Sequence, residues 1–422
     1  MANFEYSPVD FLFTCLGLVF LLLDIVLDIW AVVSLYKEKE YVSLGILLLF
    51  LVGSSVLVQA FSWLWYSYEN FRRETTVEKC VSVNLLNLLH WLQLGIYFRH
   101  AGVVEVSVRS FFSRLKGPDE DVAVFLSHDL SMLRLIETFS ESCPQLVLML
   151  TIILQRGELD PWTVLKAIGS ASAVACSVTM YHRSLRSFLL DKEKQVVLSS
   201  IIYFLWNLLL VMSRITALAL FASVLPCYIF THFICSWFIL FFFVWRSKTN
   251  FMENACGEWL YRATVGLIWY FDWFNVVEGR TRYKTLFYHG YILVDICLLV
   301  ALWCWQITAT ETPYFEISPL NAKITAVSVA VAYMLGLLLK LMYYKFLHPN
   351  LDKEQLKGDD TEKSSPKSKP MMTEDVPDSA RSAVIQLQSD TGTDETAFRT
   401  ASPPDTKRCN KRMRKLAKNF YS

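Results

Sequence analysis

The sequence predicts an all-α integral membrane protein, and three observations carry that prediction. Hydrophobic residues make up 54% of the 422-residue chain and charged residues 19%, against roughly 45–50% and 25% in soluble domains. The mean hydropathy is +0.35. Three apolar runs, Phe11–Val33, Val42–Trp65 and Val197–Leu225, are each long enough to cross about 30 Å of hydrocarbon as a helix. With 40 Lys and Arg against 39 Asp and Glu, the near-zero net charge argues against a nucleic-acid partner. Aromatic residues at 14% exclude a chain disordered throughout.

Taken in order, ten apolar segments can be marked, at roughly 10–36, 42–66, 81–99, 122–154, 162–182, 197–225, 227–245, 257–277, 286–307 and 321–346. Residues 1–10 carry Glu5 and Asp10 but no Lys or Arg. That lacks the basic start and small-residue cleavage site of a signal peptide, so the first helix is expected to stay in the mature protein. No Asn-x-Ser/Thr sequon occurs. Segments 81–99 and 257–277 are shorter and more polar than the others, with Asn84, Asn87, His90 and Gln93 in one and Arg262, Asp272 and Asn275 in the other. They stand third in the first five segments and third in the second five.

The distribution of basic residues decides how these two segments are read. Ten full spans from a cytosolic amino terminus would leave eleven loop Lys and Arg outside and seven inside. If 81–99 and 257–277 are re-entrant, only Lys37, Lys39 and Arg156 stay outside and the other fifteen move inside. The expectation is therefore about eight transmembrane helices plus two re-entrant helical segments, with both termini cytosolic. They fall into two pseudo-repeats, about 9–186 and 197–347, that make up a membrane domain over 1–350. Helices that stop at membrane depth need protein or a watery cavity around them, and paired interrupted segments point to a transport pathway.

Beyond the membrane domain the composition changes. Residues 351–406 hold 7 basic and 12 acidic residues among many Ser, Thr and Pro, and read as a disordered cytosolic linker. Residues 407–422 carry Lys407, Arg408, Lys411, Arg412, Arg414, Lys415 and Lys418 with no acid. Met413, Leu416, Ala417 and Phe420 recur there at i, i+3, i+4 and i+7, the spacing of an amphipathic helix. Such a strip suits anionic lipid or the protein's own cytosolic face.

Ionisable residues inside the apolar segments are the strongest functional signal. Asp24 and Asp28 lie mid-segment, one helical turn apart, as do Glu137 and Glu141, with Arg134 one turn earlier. Arg214 sits in the middle of the sixth segment, Asp295 in the ninth, and Arg183 closes the fifth. A central charge costs about 2.5–3.5 kcal/mol on insertion scales, so these groups must face one another or water. Ion pairs that merely lock helices together are one reading. The excess of carboxylates over Arg134, Arg183 and Arg214 favours a polar path or proton sharing. Other chemistries find no support: there is no phosphate-binding GxxxxGK[ST] loop, seven scattered histidines form no metal constellation, and ten cysteines show no CxxC. No enzyme activity, metal or cofactor is expected.

Seven motifs stand in order along the chain: Asp24-Ile-Val-Leu-Asp28-Ile-Trp30, Phe61-Ser-Trp-Leu-Trp65, Asp129-Leu-Ser-Met-Leu-Arg-Leu-Ile-Glu137, Tyr203-Phe-Leu-Trp-Asn207, Glu258-Trp-Leu-Tyr-Arg262, Trp273-Phe-Asn-Val-Val-Glu-Gly-Arg280 and Tyr343-Tyr-Lys-Phe-Leu-His-Pro349. Together they resemble the XK-related family over about residues 9–350, and Lys411–Phe420 resembles the tail of one branch. The resemblance implies a plasma-membrane phospholipid scramblase that exposes phosphatidylserine in apoptosis once an effector caspase cuts its carboxy-terminal tail. It also implies a single-pass immunoglobulin-type partner, basigin or neuroplastin. Membrane charges carry over at Asp10, Asp24, Asp28, Glu137, Glu141, Arg183, Arg214 and Asp295. One position departs, since Met180 stands where the family has an acid just before Tyr181. In the linker, Asp375-Val-Pro-Asp378-Ser379 has the Asp-x-x-Asp pattern, followed by a small residue, that effector caspases prefer.

The leading expectation is downhill scrambling along a charged, partly wet path through Asp24, Asp28, Glu137, Glu141, Arg134 and Arg214. The alternatives are a secondary transporter or channel for a small polar solute, and a structural scaffold that carries a partner to the surface.

Overall fold

The computed structural model describes residues 8–71, 73–112, 118–157, 161–188, 195–247, 249–275, 282–309 and 318–347. The linker 351–406, with Asp375, Asp378 and Ser379, lies outside the described residues, as does the basic segment 407–422, with Arg412, Met413, Leu416, Ala417 and Phe420. Among the described residues there are helices and no strands. In chain order these are α1 (Pro8–Lys37), α2 (Tyr41–Tyr68), α3 (Thr76–Lys79), α4 (Val83–Trp91), α5 (Gly95–Phe112), α6 (Pro118–Glu137), α7 (Cys143–Arg156), α8 (Pro161–Phe188), α9 (Val197–Val224), α10 (Pro226–Arg246), α11 (Ala255–Phe271), α12 (Arg282–Ala309) and α13 (Pro319–Met342).

Among the described residues six helices are long and apolar enough to cross a membrane: α1, α2, α9, α10, α12, and α13 with the turn that follows it. This makes the chain an all-α, multi-pass membrane protein. The apolar surface of the spans agrees with lipid contact. The most apolar window of α1 is 11% buried and that of α2 17%, whereas in α9 it is 67%. α9 is the axis of the molecule, packed against α7, α8, α10, α12 and α13.

The two short polar segments do form short helices. α4 has 9 residues, about 14 Å at 1.5 Å per residue, less than half the hydrocarbon thickness. It ends at a break, where Gln93 takes a left-handed backbone (φ 63°) before α5 starts at Gly95. The packing is close there, since a Cβ on Gly95 would lie 2.5 Å from the His90 ring. α11 has 17 residues and stops at Asp272, whose backbone is extended. Segment 81–99, read from sequence as one piece, is thus a helix, a break and the first turn of a second helix.

Helices α6 and α7 run on through a π-turn, Thr138–Ser142. Its cause is local. Pro144 has no N–H to give the carbonyl four residues back, and the Ser140 hydroxyl donates to the Ile136 carbonyl at 2.8 Å. Such turns concentrate at functional positions, and this one holds the buried Glu141.

Candidate functional site

Asp10, Thr14, Gly17, Asp24 and Asp28 fall on one stripe of α1, three, four or seven residues apart. From Asp10 to Asp28 the stripe is about 27 Å long, nearly the depth of the hydrocarbon core. About three-quarters of the way along it, at Asp24, Arg134 of α6 reaches across. Its Nη2 lies 3.5 Å from Asp24 Oδ2 and its Nη1 2.9 Å from Glu137 Oε2. One turn further along α1, Gln145 Nε2 donates to Asp28 Oδ1 at 3.0 Å. The Asp28 carboxyl also faces Glu141, which lies against Ser54 of α2. Asp24, Asp28, Glu137 and Glu141 therefore gather round a single guanidinium, the acid excess expected from sequence. The group is not sealed. The Arg134 side chain is 11% exposed, but Asp24 keeps 31% and Glu137 25% of theirs.

The charges of the second half are arranged differently. Arg214 of α9 is fully buried, its Nη1 2.5 Å from Asp295 Oδ2 of α12, and its Nε donates to the Tyr270 carbonyl at 3.1 Å. His232 of α10 closes the knot, with Nε2 3.1 Å from Asp295 Oδ1 and Nδ1 2.9 Å from the Tyr270 hydroxyl. The guanidinium also lies 5.0 Å from the centre of the Tyr270 ring. Arg214 and Asp295 are brought to each other, with His232 and Tyr270 between α10 and α11, and not into the carboxylate group on α1.

At the amino-terminal end of α1, Arg183 Nη2 lies 3.5 Å from Asp10 Oδ1, and its Nη1 donates to the Gln195 carbonyl (2.9 Å) and the Ser200 hydroxyl (3.2 Å). Met180 therefore does not leave Arg183 without an acid, since Asp10 supplies one.

Three further polar sites were not legible in the sequence. Arg99, buried on α5, lies 3.3 Å from Asp129 Oδ2, gives its Nε–H to the Ser62 hydroxyl (3.0 Å) and stacks 3.9 Å over the Tyr66 ring. Lys340, buried on α13, meets His289 Nε2 at 2.8 Å, while His289 Nδ1 meets the Tyr333 hydroxyl at 2.9 Å. Asp272 is buried at the end of α11, near enough to Lys340 to feel its charge. In each case one partner comes from a distant element, and residue spacing carries no trace of it. Among the described residues no group of His, Cys, Asp and Glu could hold a metal ion.

Two of the motifs occupy structural positions. Phe61 and Trp65 are fully buried on α2. Glu258 ties the loop before α11 by accepting from the Phe251 and Met252 N–H groups at 2.9 and 2.8 Å. Beside it, Arg262 donates to the Thr249 carbonyl at 2.8 Å. The family whose description is XK-related protein matches residues 12–349. The chain belongs to the XK-related family. Its relatives there include XK-related protein 8 of Tetraodon nigroviridis, 39% identical over 429 residues that cover 99% of this chain and 98% of the relative. XK-related protein 8 of Gasterosteus aculeatus is 40% identical, with 82% of this chain and 86% of the relative covered. XK-related protein 8 of Pan troglodytes is 37% identical, with 83% and 87% covered. An XK-related chain thus carries its acid excess on α1, α6 and the π-turn, and its neutralised charges round α9.

Proposed function

We propose that the chain is an energy-independent phospholipid scramblase, moving lipids between leaflets without chemical conversion and exposing phosphatidylserine at the cell surface in apoptosis. The observation that carries this reading is the carboxylate-rich group on α1 and α6, set at membrane depth and partly exposed. A phospholipid headgroup cannot cross hydrocarbon quickly on its own, because its charges lose their hydration. A half-open row of charged side chains replaces part of that hydration while the acyl tails stay in lipid. No cage of specific ligands is needed, so little headgroup selectivity is expected. The family resemblance supports the same function.

In this reading α6 with α7, and α8, complete eight spans, and α4 and α11 are the two re-entrant elements. The protein sits in the plasma membrane with both termini in the cytosol, beside basigin or neuroplastin. The basic strip with Arg412, Met413, Leu416, Ala417 and Phe420 holds the cytosolic face closed. Cleavage between Asp378 and Ser379, at the site opened by Asp375, releases it, because a tethered segment loses its high effective concentration when cut.

The test is reconstitution into vesicles with fluorescent lipids and bleaching of the outer leaflet. Protein truncated after Asp378 is expected to expose both leaflets to bleaching, full-length protein much less, and Asp378→Ala protein treated with effector caspase no more than the full-length form. An inner leaflet that stays protected with the truncated protein would contradict scrambling and favour a solute transporter or a scaffold. Equal scrambling by all three would remove the tail as a switch.

A further inference from the structure

Between Asp10 and Asp24 the stripe on α1 is interrupted, and the interruption has a defined shape. Below it lies a cavity of about 90 Å³ between α1, α5, α6 and α8, bounded by Asp10, Phe13, His100, Ser127, Arg134 and Arg183 among others. Above it lies a second void of about 10 Å³, bounded by Phe20, Ser177 and Arg134. The second void has room for about one water and the first for several. Gly17, Ser131, Arg134 and Met180 bound both. A Cβ on residue 17 would come within 2.8 Å of Met180 Cε, so the thioether end of Met180 fills the notch that glycine leaves. Gly17 is seven residues from both Asp10 and Asp24, which puts this plug about 10 Å from each along the helix.

The larger cavity is also chemically prepared. His100 Nε2, Ser127 Oγ and Arg183 Nε are buried and meet no hydrogen-bond partner among the described residues. His100 Nδ1 donates to the Ile96 carbonyl at 3.1 Å, which leaves Nε2 as an acceptor. Guanidinium and hydroxyl donors suit a phosphate, and the Asp10 carboxylate with the His100 acceptor suits an amine. Buried polar atoms of this kind are costly without partners. A mixed donor and acceptor lining on an otherwise apolar wall fits a zwitterionic headgroup better than a single ion.

We propose that this cavity is a vestibule for the phosphate and amine of a phospholipid headgroup, and that Met180 seated against Gly17 is its closed neck, separating it from the carboxylate group at Asp24. The proposal rests on the scramblase reading and adds the place where the path is shut. Met180 is a positioning residue here, since it excludes water and headgroups without bonding to them. Met180 closes the neck with an apolar, flexible side chain that needs no charge to be moved aside.

Two readouts on protein truncated after Asp378, in lipid nanodiscs and in vesicles, test this. In Met180→Ala the neck is open. Hydroxyl-radical labelling of Phe20, beyond the neck, is expected to rise several-fold while labelling of Phe13 stays unchanged, and scrambling is expected to speed up several-fold. Met180→Leu, which keeps the volume, should restore both to the wild-type level. Met180→Val, a smaller deletion, serves in place of Met180→Ala if the latter does not fold, with the same direction expected. Phe20 labelling equal in wild type and the opened variant would overturn the neck, whatever the lipids do. Phe20 labelling that rises while no variant scrambles would keep the neck and overturn the lipid assignment and the scramblase reading with it.

Discussion

The two halves of the membrane domain both place an arginine at membrane depth, and they treat it in opposite ways. In the second half Arg214 is fully buried, and Asp295, His232 and the Tyr270 carbonyl close round it. In the first half Arg134 is shared among carboxylates that outnumber it, two of which stay a quarter to a third exposed. Low-dielectric burial makes a matched pair tight and a missing partner costly. The closed knot therefore reads as a device that holds α9, α10, α11 and α12 together. The open group keeps charge available to something outside the protein. One half is built to stay shut, the other to present charge.

The largest effect that separates the halves is expected at Arg214. Arg214→Met leaves Asp295 buried without its cation, a loss of roughly 3–5 kcal/mol. It should lower the melting temperature of the detergent-solubilised protein sharply and reduce surface delivery. A variant that melts like wild type would mean that the second half is not held by this knot.

The smallest effect is expected outside the membrane, where Arg156 pairs with Glu38 between the end of α7 and the α1–α2 turn. Both side chains are well exposed, so the pair contributes less than about 1 kcal/mol. The hydrogen bond from Arg156 holds the Glu38 carboxyl below its ordinary value of 4.5. A depressed carboxyl adds stability above that ordinary value and loses it as pH falls through the lowered one. Glu38→Gln should therefore leave melting at pH 7 nearly unchanged and slightly flatten its decline in acid. A large loss at pH 7 would place the pair among the structural locks, alongside Arg214.

How much of the fold and the site was legible in the sequence follows from how local each signal is. The turn-spaced pairs Asp24 with Asp28 and Glu137 with Glu141 are visible because one helix carries both members. The acid excess is equally plain there, because it needs only a count of residue types within the apolar segments. Arg214 and Asp295 could be seen only as charges in need of partners, because 81 residues separate them. Their third partner, His232, lies in an aromatic run that gives no hint of it. Arg99 with Asp129, and Lys340 with His289 and Tyr333, likewise depend on which helices touch. The break at Gln93 was hidden inside an apolar segment, because a single left-handed residue leaves hydropathy unchanged. The neck at Met180 showed in the sequence only as a departure from the family pattern. Its meaning needed the notch at Gly17, which is a packing fact.

The central claim is that the open group on α1 works on lipids while the protein's stability rests elsewhere. Asp24→Asn combined with Asp28→Asn tests it most directly, because the amides keep the shape and remove the charge. Scrambling by the truncated double variant in vesicles should be measured beside its melting temperature. The account predicts a folded protein that melts close to wild type and scrambles more slowly, on the order of tenfold, for about 1.4 kcal/mol of added barrier. A double variant that is folded and scrambles at the wild-type rate would contradict it.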